Sequence, residues 1–289
     1  MTTKTCLNLR KMSHNLDSDN IVQYSLKGYS PSSNEKIGIH LNQYLGKKIS
    51  LKFLAQINCV ACNRSTNKSF NQGYCFPCLQ KLAECDTCII KPELCHYDNG
   101  TCRDPKYGDD HCNITHSLYI SLTSSAKIGV TRQYQELVRW VDQGAVRALR
   151  LISLKRRLHA GLLEVELAKQ MPDKTNWRRM LKNEVDDIDL LVLKNKLLNE
   201  IENIISKNSL SQELNYVLED SVLLAENNLP IQNISYPVLE YPKKLTSLNL
   251  DKDPLVEGVL LGIKGQYLLL NSGVINLRKY AGYLVDFSG

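Results

Sequence analysis

The rhythm of apolar and polar positions changes several times along the chain, and each change marks a module. Residues 1–58 alternate over short stretches: Ile21 to Tyr24 and Lys36 to Leu41 are strand-like, and alternation resumes from Leu45 to Phe53 after a glycine turn. Residues 59–115 have few aliphatic positions. From 116 to 182 the pattern predicts strand, turn, strand, helix, strand and helix: His116 to Leu122, a turn from Thr123, Lys127 to Val130, Gln133 to Asp142, Val146 to Leu154, and Arg157 to about Gln170. Residues 183–245 are helical at first, with Ile188, Leu191, Leu198, Ile201 and Ile205 at amphipathic spacing. Leu229-Pro230 stops that helix, and Tyr236-Pro and Tyr241-Pro make an extended linker. Residues 246–289 place Asn271-Ser-Gly between two apolar runs, which predicts a β hairpin that closes against the first unit. The expected fold class is α+β: an N-terminal β unit, a cysteine-rich region, an α/β core, an acidic helical segment and a C-terminal β unit.

Composition narrows the function classes. The 289 residues are 43% hydrophobic and 23% charged, an ordinary globular balance. The apolar runs, such as 259–263, fall far short of the ~18 residues that cross a bilayer, and no hydrophobic stretch follows the first charges. The expectation is a cytoplasmic protein without membrane contact. Lys and Arg number 36 against 30 Asp and Glu, a net +6. The excess is uneven: from Val146 to Lys182 ten basic residues face three acids, and from Asn183 to Asn228 ten acids face three lysines. The first segment is a candidate polyanion surface, with Lys155, Arg156, Arg157, Arg178 and Arg179 expected to reach outward, although such runs are commonly solvated faces.

Nine of the ten cysteines lie between Cys59 and Cys112. Cys59-x2-Cys62, twelve residues, then Cys75-x2-Cys78 is zinc-ribbon spacing, in which two paired thiolates close a tetrahedral site with no open position. That predicts a structural zinc. Cys85-x2-Cys88 begins a second set with Cys95, Cys102 and Cys112, one thiol more than a tetrahedral ion takes. The expectation is a second zinc on Cys85, Cys88 and two of the later three. An iron–sulfur cluster or a thiol sensor stays open as the alternative.

The Pro92-Glu-Leu-Cys-His region, His116-Ser-Leu-Tyr-Ile, Lys127-Ile-Gly-Val-Thr-Arg132, Arg139-Trp-Val-Asp-Gln-Gly-Ala145, Asp173-Lys-Thr-Asn-Trp177 and Gly262-Ile-Lys-Gly-Gln-Tyr together resemble a bacterial family, domain of unknown function 2797, over nearly the whole chain. Residues 116–177 are more distantly similar, in element order, to GIY-YIG nuclease domains. Ser117-Leu-Tyr119 would stand for the first tripeptide and Lys127-Ile-Gly129 for the second. Arg139 falls at the helix arginine, and Glu164, followed by Asn176, at the metal-binding glutamate and terminal asparagine. The resemblance implies phosphodiester hydrolysis of DNA or RNA. Tyr119 would activate water, Arg139 would stabilise the phosphorane, and Glu164 would hold one Mg2+ or Mn2+. Lys127 and Ser117 depart from the pattern, where the family has tyrosine and glycine. The other class of function is a non-catalytic binding module on a degenerate nuclease fold, with Tyr119 and Glu164 as ordinary packing and surface residues.

Overall fold

The computed structural model describes residues 4–169, 171, 176–206, 222–223 and 230–289. Four strands come first: β1 (Lys4–Leu16), β2 (Val22–Tyr29), β3 (Lys36–His40) and β4 (Lys48–Ile57). The cysteine-rich stretch holds only two short helices, α1 (Phe76–Lys81) and α2 (Pro105–His111). Then follow β5 (His116–Leu122), β6 (Ala126–Arg132), α3 (Glu136–Asp142), β7 (Arg147–Leu154), α4 (Arg157–Ala168), α5 (Trp177–Leu181) and α6 (Leu190–Ser206). Two-residue strands β8 (Val222–Leu223) and β9 (Gln232–Asn233) precede β10 (Leu255–Lys264), β11 (Tyr267–Leu270), β12 (Gly273–Asn276) and β13 (Tyr283–Ser288). The protein is thus α+β with two antiparallel sheets. Among the described residues no helix is long and apolar enough to cross a membrane.

The larger sheet has eight strands in the order β12-β11-β10-β4-β13-β1-β2-β3. Both ends of the chain build it, and β13 lies between β4 and β1, pairing Val285 with Phe53 on one side and with Leu7 on the other. Its strands show why they form. In β2 buried and half-buried positions alternate without a break, so Val22, Tyr24 and Leu26 enter the core on one face. β1 was not evident from the chain because its alternation is interrupted: Leu7 and Leu9 are buried, but the next buried apolar residue is Met12, and the pairing with β2 shifts register between Arg10 and Ser13. One extra residue at a bulge moves the apolar set out of phase.

The smaller sheet runs β6-β5-β7, with β8 and β9 pairing along the free edge of β7. β5 is wholly buried because both faces are covered. Leu118, Ile120 and Leu122 join Leu163 and Leu167 of α4 and Leu197 and Ile201 of α6 in one apolar cluster. Tyr119 and Ala148 point the other way and join Trp140 and Val141 of α3 in the core of the larger sheet. The β1 bulge locks the two units together. Gln266 accepts from Met12 N at 2.9 Å and donates to Met12 O at 3.1 Å and to Asp142 Oδ1 at 2.7 Å. Asp142, at the end of α3, also meets Lys11 Nζ at 2.7 Å and His14 Nε2 at 3.1 Å. Burial opposes ionisation of this carboxyl, yet His14 and Lys11 outweigh it and hold the group down to about 2.

The expected helix over 183–228 is present as α6. Residues 183–189 before it are turn and loop rather than helix, and of residues 207–229 only β8 is described, pairing with Ser153 and Leu154 as strand. The expected hairpin at Asn271-Ser-Gly is β11–β12, with Tyr267 opposite Asn276.

Candidate functional site

β4 delivers Cys59 to a tight turn. Asn63 N donates to Cys59 O at 2.9 Å and Cys59 N to Arg64 O at 2.9 Å, with Asn63 in the left-handed region at φ 58°. The chain returns through the Phe70–Tyr74 bridge, where Gly73 has φ 132° and any Cβ would strike Val60. It then enters α1 with Cys75 as N-cap and Cys78 in the first turn. The thiols of Cys59, Cys62, Cys75 and Cys78 all lie within 4.8 Å of one another. Cys62 and Cys75 sulfurs stand 3.7 Å apart, too far for a disulfide and close to the ~3.8 Å edge of a tetrahedron with ~2.3 Å metal–sulfur bonds. Burial raises the Cys59 thiol, but N–H groups of Cys62, Cys75 and Ala61 overcome this and bring it to about 6. Burial and the neighbouring thiols push Cys78 up instead. Four thiols this close ionise together only around a cation. This cluster can hold a zinc ion.

The later cysteines divide differently from their spacing. Cys85 ends a 3-10 turn over Ala83–Cys85, and its thiol hydrogen-bonds the Asn71 side chain, back toward the first cluster. Cys88, Cys95, Cys102 and Cys112 instead line one small cavity. All ten thiols are free of disulfides.

In the smaller sheet Tyr119 stands opposite Gly129 in register. A Cβ at Gly129 would overlap the Tyr119 hydroxyl, so glycine lets the ring lie flat on β6. The hydroxyl donates to Gln143 Oε1 at 3.0 Å and accepts from the Arg139 guanidinium. Trp140 closes on the ring edge-on at 6.0 Å. Glu164, half-buried on α4, is close enough to act electrostatically on both Tyr119 and Arg139. Tyr119 is wholly buried, and burial pushes its pKa up.

Lys127 and Glu164 open on a groove of about 480 Å3, whose opposite wall is Ile90, Lys91, Pro92 and Glu93. The structure therefore brings Tyr119, Gly129, Arg139 and Glu164 together and puts Lys127 beside Glu164. Asn176 is the N-cap of α5, its Oδ1 accepting from Arg178 N at 3.1 Å and Arg179 N at 3.3 Å. Gln143 and Glu93 were not singled out by sequence. Gln143 stands four residues after Arg139, the spacing that places two side chains on one helix face.

Much of the basic run makes contacts within the chain, while Lys155 and Arg178 are exposed. Arg150 pairs with Glu136 at 2.6 Å, Arg156 with Asp98 at 2.8 Å and Arg179 with Asp186 at 2.8 Å. Arg147 donates to Ile188 O at 3.2 Å, Arg157 donates to Ile89 O, and Arg178 stacks 4.4 Å over Trp177.

No curated protein and no solved structure gives a significant match to the chain. A family model described as a protein of unknown function, DUF2797, matches residues 46–285, from just before β4 to the middle of β13, and so includes the cysteine clusters, the smaller sheet and the groove. The chain belongs to the DUF2797 family.

Proposed function

We propose that the unit built from β5, β6, α3, β7 and α4 is a GIY-YIG-type phosphodiesterase acting on nucleic acid, braced by a structural zinc on Cys59, Cys62, Cys75 and Cys78. The observation that carries the reading is the meeting of Tyr119, Gly129, Arg139 and Glu164, which come from four separate elements of the smaller sheet and its helices. Arg139 offers a cation for a developing negative charge, and Lys127 adds a second at the groove. Glu164 and Glu93 line the same groove and supply the hard oxygen donors that suit Mg2+ or Mn2+. Such an ion, when bound, polarises the phosphate. Tyr119, as a neutral phenol between Gln143 and Arg139, fixes the guanidinium. For the thiol cluster the 3.7 Å sulfur separation favours a single ion, since an iron–sulfur cluster spreads its thiolates around several metal atoms.

The complete burial of Tyr119 favours a second reading, a binding module that has lost catalysis, because a buried phenol with a raised pKa is a poor base. Incubation of the full chain with single- and double-stranded DNA and RNA, with and without Mg2+ or Mn2+, decides between them. Metal-dependent cleavage that falls roughly 100-fold or more in Glu164→Gln, with binding retained, supports hydrolysis. Binding without cleavage supports the module. Neither binding nor cleavage overturns both.

A further inference from the structure

We propose that Cys88, Cys95, Cys102 and Cys112 hold a second tetrahedral zinc ion, and that Cys85 takes no part in it. The four thiols line one cavity of about 20 Å3, on the scale of one ion; unlike those of the first cluster they do not all lie within 4.8 Å of one another, so a bound ion would draw them inward. They arrive on unrelated pieces of chain. Cys88 lies in the 3-10 turn Thr87–Ile89, Cys95 follows the turn Pro92–Leu94, Cys102 precedes α2 and Cys112 is its C-cap. Gly108 lets α2 approach: a Cβ there would collide with the Tyr97 ring and lie 3.6 Å from the Cys102 sulfur.

The surroundings suit an anionic metal–thiolate centre. Four thiolates around a dication leave a net charge of −2, and the Arg157 guanidinium hydrogen-bonds the Cys112 sulfur while donating to Ile89 O. No residue from 58 to 117 belongs to the three apolar clusters formed by the described residues, so this stretch lacks a hydrophobic core of its own. A segment without such a core needs cross-links or metal to hold one shape.

Two competing donor sets are on hand. Asp86, Cys88 and His96 also bring ligand atoms within 4.8 Å of one another. Asp86, however, is held by Arg103 Nε at 2.7 Å and faces His96 Nε2 at 3.5 Å, while His96 Nδ1 meets Thr101 Oγ1 at 2.8 Å. Asp86 and His96 line the same cavity as the thiols, and a cation bound to Asp86 would compete with the guanidinium. The other set, the Cys85-x2-Cys88 pair suggested by spacing, fails because the Cys85 thiol faces Asn71 and does not line the cavity.

The centre reaches the groove through packing. The loop from Cys88 to Cys95 carries Ile90 to Glu93, one wall of the groove, and Pro92 sits directly on Gly161 of α4, three residues before Glu164. The metal proposal does not depend on whether that groove hydrolyses anything.

Elemental analysis of the full chain, with zinc release by a mercurial thiol reagent as an independent count, tests it. The expected content is two zinc ions per chain in wild type, two in Cys85→Ser and in His96→Ala, and one in Cys102→Ser and in Cys112→Ser. One zinc in wild type, one in Cys85→Ser, or one in His96→Ala overturns the assignment, as does iron in place of the second zinc. Should Cys102→Ser and Cys112→Ser fail to fold, the counts for wild type, Cys85→Ser and His96→Ala still decide it.

Discussion

The eight-stranded sheet and the cysteine-rich segment are held together by different physics. The sheet buries Leu7, Leu9, Tyr24, Leu51, Val285 and Phe287 in one apolar cluster spanning both ends of the chain. Residues 59–112 add nothing to any apolar cluster, and half of their buried positions are cysteine. One region spreads its stabilisation over many small burial terms, and the other concentrates it on a few sulfur atoms. The first should therefore lose stability by degrees and the second in steps.

The sharpest way to break the contrast is to remove metal. Chelation at neutral pH, or Cys75→Ser, should abolish hydrogen-exchange protection across 59–112 while both sheets keep theirs, since a structural zinc contributes on the order of 10 kcal/mol. Protection in that segment that survives complete metal loss would show that it folds without the ion. The converse change is made in the sheet. Phe287→Ala removes a ring that is 1% exposed and packs edge-on against Tyr44 at 5.3 Å, and should cost about 3–5 kcal/mol in denaturant unfolding. Metal content should be unchanged in the refolded variant.

The smallest expected effect, taken per pH unit, lies in Lys264, which is fully buried, bonded to Asn183 Oδ1 at 2.7 Å and flanked by the Tyr236 and Tyr241 rings. Burial lowers its pKa from 10.5 to about 7. Between those values the unfolded chain carries a proton that the folded one lacks, so this residue makes stability rise with pH over that window, by at most ~1.4 kcal/mol per unit. Below about 7 both states are protonated and the slope vanishes. Urea titrations of wild type and Lys264→Met between pH 7 and 10 should differ by that slope; parallel curves would mean that Lys264 keeps its proton when folded.

What could be read from sequence was local. The strand, helix and turn order from His116 to Ala168 follows from short apolar runs separated by turn residues, and the first thiol cluster from two CxxC pairs, each formed within four residues. Pairings between distant parts of the chain left no local trace. The bulge in β1 breaks its alternation at Arg10 to Ser13, and nothing near Lys4 indicates that its partner is β13. The later thiols come together through turns and a glycine contact rather than by spacing, so Cys85-x2-Cys88 looks like a pair although its members face different ways. Asn176, at a motif position, caps α5. The basic run was visible as charge, while its acidic partners Glu136, Asp98 and Asp186 lie too far along the chain, or on other elements, for the pairing to be evident.

The position of β13 between β4 and β1 has a consequence during synthesis. Until residues 283–288 leave the ribosome, the β1–β3 meander and the β4 edge have no strand to join them, and both present unpaired N–H and C=O groups. The smaller sheet and the cysteine-rich segment are translated well before that moment and can already be in place. The last strand then seals two exposed edges at once. Nascent chains arrested before Tyr283 should accordingly be bound by chaperones that recognise open strands, and release should coincide with emergence of β13 rather than with any earlier module.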